Sequence, residues 1–315
     1  MNTQIKPAIS STHPKRTIFT RDLRLNNLSP VEVLLRFVFL VLLALFFFMP
    51  LIWLLIAPTK QWTDLYNRSI PPLQIGSLDG YVTAWNNILM FGEGLIQRWV
   101  FNSIWYSLAS LFLAVAVAIP TGYTLATMRF KGRLPLMWLT LISMILPGSA
   151  MVLPLFLEMN AFRLIDNPLS VILPFAFAPG GAYLAYVFYS VTLPKDLLAA
   201  GKVDGCNEWQ LFYYIGLPLG RVLVATLGFL TFNSAWNNFF LPYVMLNKKD
   251  LYNLPQGIAA LMNAQAGSPG FLRELPINEP EKALAGLIMV IPVMLIFLVA
   301  QRYVIQGMSA GAVKE

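Results

Sequence analysis

Residues 99–128 read WVFNSIWYSLASLFLAVAVAIPTGYTLATM, 30 consecutive positions without an Asp, Glu, Lys, Arg or His. A helix rises about 1.5 Å per residue, so about 20 largely apolar residues cross a hydrocarbon core about 30 Å thick. The stretch is long enough to span a bilayer. In lipid only helices and closed barrels satisfy every backbone polar group. The apolar residues here run without alternation, which selects a helix over a strand. This reading sets the fold class as an all-α integral membrane protein.

Five further uncharged runs extend it. They are 37–59 (23 residues), 134–157 (24), 167–194 (28), 222–247 (26) and 283–301 (19). Another run, 251–272, holds 22 residues but carries Asn253, Gln256, Asn263, Gln265 and Ser268, with prolines and glycines, and is rejected as a span. The expected architecture is a six-span domain over 31–308, with spans near 33–57, 101–127, 135–157, 169–192, 222–246 and 283–304. A polar leader (1–30) precedes it and a tail (309–315) follows. The whole-chain composition agrees: 57% hydrophobic and 12% charged, with mean hydropathy +0.64. Soluble domains carry about 25% charge, so an ordinary soluble enzyme, a disordered protein and a disulfide scaffold are excluded. A single cysteine, Cys206, cannot form an internal bridge. A single histidine, His13, cannot build a metal site by itself.

Six spans put both termini on one side, and the loop charges choose it. The leader, the loop near 129–133, the loop 194–221 and the tail hold 14 of the 22 basic residues against 6 of the 15 acidic ones. The positive-inside rule makes that side cytoplasmic. The net charge of +7 is then a matter of topology, and nucleic acid is not needed to explain it. The first run is too long for a signal peptide and no small-residue cleavage site follows it. The leader is expected to be mostly disordered.

Between the spans, 60–98 carries Trp62 and Trp85, with Trp99 just beyond, which suits a helix lying at the membrane interface. Segment 248–282 contains Gly267-Ser268-Pro269-Gly270, a turn at the tip of a protrusion that either meets a partner or is a passive surface loop. Inside the spans the missing ionisable groups argue against an ion-coupled pump. Ala114, Ala118, Gly122 and Ala126 form a small-residue stripe for close helix packing. Pro147-Gly148 and Pro154 break the third span, and Pro174 and Pro179-Gly180-Gly181 the fourth. Such breaks either line a path or are simple kinks. Asn233 and Asn237 lie one turn apart beside Trp236, where they meet either a solute hydroxyl or another helix.

The loop 193–220 contains LPKDLLAAGKVDGCNEWQLFYYIGLPL, Leu193 to Leu219, far longer than a tight turn. Pro194 suits a first helical position, and Asp196 complements the dipole of a first turn. Asp204-Gly205 ends that helix with a left-handed cap. Asn207 and Gln210 then form a capping box for a second helix. Two short capped helices on the cytoplasmic face either dock in a partner's groove or lie on lipid.

Here Asp204-Gly205 is followed by nine residues and then Ile215-Gly216-Leu217-Pro218. That spacing resembles the EAA loop of ABC-importer membrane subunits. TFNSAWNNFFLPYVMLNKKDLYNLPQGIAAL (231–261) and the tail QRYVIQGMSAGAVKE (301–315) resemble the MalG-like, carbohydrate-uptake branch. The resemblance runs from the first span to the C-terminus. It implies a pore half completed by a second permease subunit in a heterodimer. Two copies of an ATPase subunit dock beneath, and an extracytoplasmic solute-binding protein delivers a sugar or oligosaccharide. It implies the cytoplasmic (inner) membrane of a prokaryote, and a coupling loop carried by Asp196, Leu197, Leu198, Ala199, Ala200, Gly201, Lys202, Asp204, Gly205 and Pro218. Leu198 is expected in the ATPase groove. Tyr183, Asn233, Trp236 and Asn237 are assigned to the path, and Gly267 to Gly270 to the binding protein.

One departure matters: the family's glutamate falls on Ala199, so Asp196, three residues earlier on the same face, is expected to substitute in part, or shape and apolar contact carry the docking. The chain has no Gly-x-x-x-x-Gly-Lys-Ser/Thr phosphate loop. No catalytic residue, cofactor or metal is assigned to it; ATP and Mg belong to the partner ATPase. Polyols and glycerol phosphodiesters are the alternative solutes. A secondary carrier would want membrane-depth charges, and a non-transporting scaffold would leave the broken spans unexplained.

Overall fold

The computed structural model describes residues 29–67, 71–263 and 277–312. Every regular element among them is helical. The chain divides into two compact units, residues 1–50 and 51–315. Most of α1 (Pro30–Ile56) lies in the first; it is apolar all round and contains Pro50. Its start is capped reciprocally: the Ser29 N–H donates to Glu32 Oε2 at 2.9 Å and the Glu32 N–H to Ser29 Oγ at 3.3 Å.

In the second unit, α2 (Trp62–Tyr66) and α3 (Leu78–Met90) lead to the 33-residue α4 (Leu95–Thr127). Then come α5 (Arg133–Ile145), α6 (Gly148–Ala161), α7 (Leu169–Ile172) with a 3-10 turn to Ala176, and α8 (Pro179–Thr192). The loop helices are α9 (Lys195–Val203), α10 (Glu208–Leu211), a π-turn Phe212–Gly216 and α11 (Leu217–Leu219). The chain continues through α12 (Arg221–Trp236), α13 (Phe240–Met245), α14 (Leu254–Asn263) and α15 (Glu279–Ala312).

Among the described residues, four helical stretches are long and apolar enough to cross a membrane: Pro30–Thr59, Leu95–Thr127, Leu169–Thr192 and Glu279–Gln301. The number is six if two bent pairs each count as one span. In one pair α5 turns into α6 through 111°; in the other Glu208–Leu219 turns into α12 through 74°. The uncharged run 222–247 is not one helix, because α12 ends at Trp236 and Asn237 to Phe239 separate it from α13.

The axis of the second unit is α4. Its buried Ser107, Ser110, Ala114, Ala118 and Gly122 recur at three- and four-residue spacing on one side of a helix that packs against α8 and α12. A Cβ on Gly122 would stand 2.3 Å from Ala185 Cβ, so only glycine permits this approach to α8. The small-residue stripe is helix packing.

At its first turns α4 is stitched to segment 249–257. Trp99 is fully buried, donates Nε1–H to the Lys249 carbonyl at 2.8 Å and stacks on Tyr252. Trp99 is thus a packed core residue, while Trp62 and Trp85 are exposed. Asn102 donates to the carbonyls of Asp250 and Tyr252, and Tyr106 to that of Leu251. Ser103 Oγ accepts the Leu254 N–H at 2.7 Å. Arg98 pairs with Asp250 at 2.6 Å. Buried side chains thus satisfy a run of loop backbone that has no ladder of its own. Burial, reinforced by the Asp166 carboxylate and Tyr243, raises the Tyr252 phenol above its ordinary pKa, so it stays a neutral donor.

Candidate coupling loop and membrane cavity

The loop after α8 is built from local chemistry. Pro194 is not the first helical residue but the extended cap before it, and α9 starts at Lys195. The helix ends in a Schellman motif: the Cys206 N–H donates to the Gly201 carbonyl at 2.9 Å and the Gly205 N–H to that of Lys202 at 3.1 Å. Gly205 has φ +84°, the left-handed conformation that glycine adopts without strain. Asn207 and Gln210 then close a capping box, each backbone N–H donating to the other's side-chain oxygen at 2.8 Å. Lys202 and Glu208 join α9 to α10 at 2.7 Å, an exposed pair worth about 0–1 kcal/mol. Gly201 is buried against Leu211, where a Cβ would stand 2.5 Å from Cδ2. Two short helices are thereby locked into one bracket.

An aromatic mount holds the bracket to the membrane helices. Tyr123 near the end of α4 packs edge-on against Tyr189 of α8 at 5.4 Å and tilts against Phe212 at 5.1 Å. Tyr189 donates its hydroxyl to the Gly216 carbonyl at 3.1 Å. A Cβ on Gly220, at the 74° bend into α12, would meet that hydroxyl at 2.3 Å. Leu198 packs inward on this cluster rather than outward, so it is not part of the free face. The exposed apolar residues of the bracket are Val203 (87% exposed) and Trp209 (74%), with Leu197, Tyr213 and Tyr214. Asp196, Ala199, Ala200, Lys202, Asp204, Gly205 and Pro218 are exposed as well. Asp196 makes no ion pair among the described residues.

The second feature is a cavity of about 570 Å³ where three helix breaks converge. They are the α5–α6 elbow before Gly148, the Phe177–Ala178 step before α8, and the Asn237–Phe239 step after α12. Its walls are mostly apolar, with Phe175, Phe177 and Phe240 prominent; side-chain polarity comes from Ser149, Thr231, Ser234 and Asn238. Among the described residues, none that lines it is ionisable.

None of the four path residues assigned from sequence lines this cavity. Trp236 is a core residue: it is fully buried, stacks on Phe232 and donates Nε1–H to the Met289 carbonyl at 3.0 Å. Asn237 donates its amide to the carbonyl and Oδ1 of Asn233, so the two amides meet each other at the end of α12. Tyr183 lies against Tyr186. The cavity's Thr231, Ser234 and Asn238 sit on the neighbouring face of the same helix end, and the proline and glycine breaks were the usable signal. Gly267 to Gly270 lie outside the described residues.

A helical membrane chain with a bracketed loop at one helix end and a notch between broken spans is a transport permease subunit in form. The family described as "binding-protein-dependent transport system inner membrane component" matches residues 118–310, and the chain belongs to it. Over 280 residues it is 34% identical to the arabinooligosaccharides transport system permease protein AraQ of Halalkalibacterium halodurans, covering 88% of this chain and 94% of that one. Over 274 residues it is 26% identical to the diacetylchitobiose uptake system permease protein NgcG of Streptomyces coelicolor, covering 86% of each. Its fold is that of a chain in the crystal structure of a bacterial ABC transporter involved in the import of the acidic polysaccharide alginate. The TM-score is 0.73 at 20% identity, over 87% of this chain and 96% of the other. The protein is thus a multi-pass membrane permease subunit of a binding-protein-dependent ABC importer.

Proposed function

We propose that this chain forms one half of the pore of an oligosaccharide importer in the inner membrane of a prokaryote. It crosses the membrane six times, α5 with α6 and α12 with α13 making up the third and fifth crossings, and keeps both termini cytoplasmic. A second permease subunit completes the pore. Two ATPase subunits dock beneath it, carrying the ATP and Mg, and an extracytoplasmic binding protein delivers the solute. The chain itself is not an enzyme. The oligosaccharide assignment draws on relatives named for arabinooligosaccharide transport and diacetylchitobiose uptake.

The observation that carries the reading is the rigid bracket. Force from an ATPase reaches the spans only through a stiff contact; the C-terminal end of α9 and the start of α10 are capped, and Leu198 of α9 packs in one cluster with Tyr189 and Phe212. Closure of the ATPase dimer moves the bracket, and the mount passes that motion to α4, α8 and α12. With Ala199 in place of the family's glutamate, Val203, Trp209 and Asp196 carry the docking. The test is a mild-detergent pull-down of the tagged chain followed by ATPase assays. The expected result is co-purification of an ATPase and a second multi-span permease, with hydrolysis stimulated by the loaded binding protein. A chain that comes alone through several detergents overturns the reading.

A further inference from the structure

We propose that the cavity at the three helix breaks contacts the solute directly, that Phe177 and Phe240 are its stacking platforms, and that it takes uncharged ring sugars. The inference rests on the importer reading above and adds the solute's chemistry and the residues that meet it.

The absence of charge decides the first half. The fold is shared with an importer of an acidic polysaccharide, so the fold leaves the solute's charge open and the walls must settle it. All the described side chains that line this cavity are neutral. An anionic solute here, a uronate or a glycerol phosphodiester, would lose water without gaining a counter-charge, which costs several kcal/mol at membrane depth. A neutral solute has no such penalty.

Shape decides the second half. Phe177 stands at a helix break and is 67% exposed; Phe240 opens α13 and is 48% exposed. Both line the cavity together with the hydroxyls of Thr231 and Ser234 and the Asn238 amide. Ligand pockets combine apolar and aromatic walls with a few placed polar groups. A sugar ring presents a C–H face that packs on an aromatic ring and a hydroxyl edge that hydrogen-bonds to side chains and helix ends. A linear polyol has the hydroxyls but no such face, so it would leave the phenylalanines without a role.

The experiment uses the complete importer, with both permeases, the ATPase and the binding protein, in proteoliposomes. Arabinotriose is the neutral ring probe and glycerophosphoglycerol the anionic, ring-free one. Phe177→Leu and Phe240→Leu keep apolar bulk and remove the aromatic face, whereas Phe177→Tyr and Phe240→Tyr keep it. Each Leu variant should lower initial arabinotriose uptake about tenfold, with fewer molecules moved per ATP hydrolysed; each Tyr variant should transport within about twofold of wild type. Thermal stability of every complex is read alongside, to separate lost packing from lost contact. Wild-type uptake by the Leu variants, or an equal fall in the Leu and Tyr variants, overturns the platform. Uptake of glycerophosphoglycerol in place of arabinotriose overturns the neutral ring solute. In each of those results binding-protein-stimulated ATP hydrolysis persists; its loss in the wild-type complex would instead strike the importer reading.

Discussion

Glycine at position 257 is dictated by tryptophan at position 99. A Cβ there would stand 2.1 Å from the indole, inside a buried ring that also anchors the Lys249 carbonyl. Gly257→Ala must push the ring or lift the segment, and overpacking of this kind costs about 1–3 kcal/mol. The detergent-purified complex should melt several degrees lower; an unchanged midpoint would mean that segment 249–257 shifts freely. Asp196 and Asp204 offer a second contrast at this scale. Both are exposed, but Asp204 sits at the end of α9, while Asp196 sits in its first turn on the face where the family's glutamate is missing. Asp196→Asn should therefore reduce ATPase capture in a pull-down more than Asp204→Asn. Equal capture by wild type and Asp196→Asn would leave docking to shape and apolar contact.

Among the elements, the bracket of α9 and α10 was legible before any coordinates. Gly205 and the Asn207–Gln210 pair are local signals, acting within four residues, and local chemistry fixes them wherever the chain goes. What stayed hidden was which side of α9 faces out. That depends on Tyr123 and Tyr189, whose places are set by packing far along the chain. Leu198 and Val203 look equivalent as apolar residues of one helix, yet one is tucked against the mount and the other is bare. Val203→Asp should weaken ATPase recruitment and leave the melting midpoint unchanged. Leu198→Asp should lower the midpoint first, since it puts a carboxylate into an apolar cluster. Reversed effects would put Leu198 on the docking face after all. The cavity was half legible for a similar reason. Prolines and glycines marked the breaks in the third and fourth spans, but the break after Trp236 follows no proline, and the amides next to it lie on a face that does not line the cavity.

For the whole molecule, α4 is the shared beam. One end is tied to segment 249–257 by Trp99, Asn102 and Tyr106, and the other carries Tyr123 of the mount. In the proposed mechanism α4 is the element that would carry movement from the bracket to the far end. The three breaks around the cavity have a consequence of a different kind. Every helix end leaves about four N–H or C=O groups without an intrahelical partner, and the breaks bring several such ends to one place. Some find partners within the breaks, as the Leu241 N–H does on Asn238 Oδ1; hydrocarbon cannot satisfy the rest, so such breaks need water or protein beside them. A solute arriving there displaces liquid rather than opening a dry hole, and exchanges its own hydration for the same kind of bond. Passage across the membrane then becomes a sequence of near-even trades, with the direction left to whichever side the spans face.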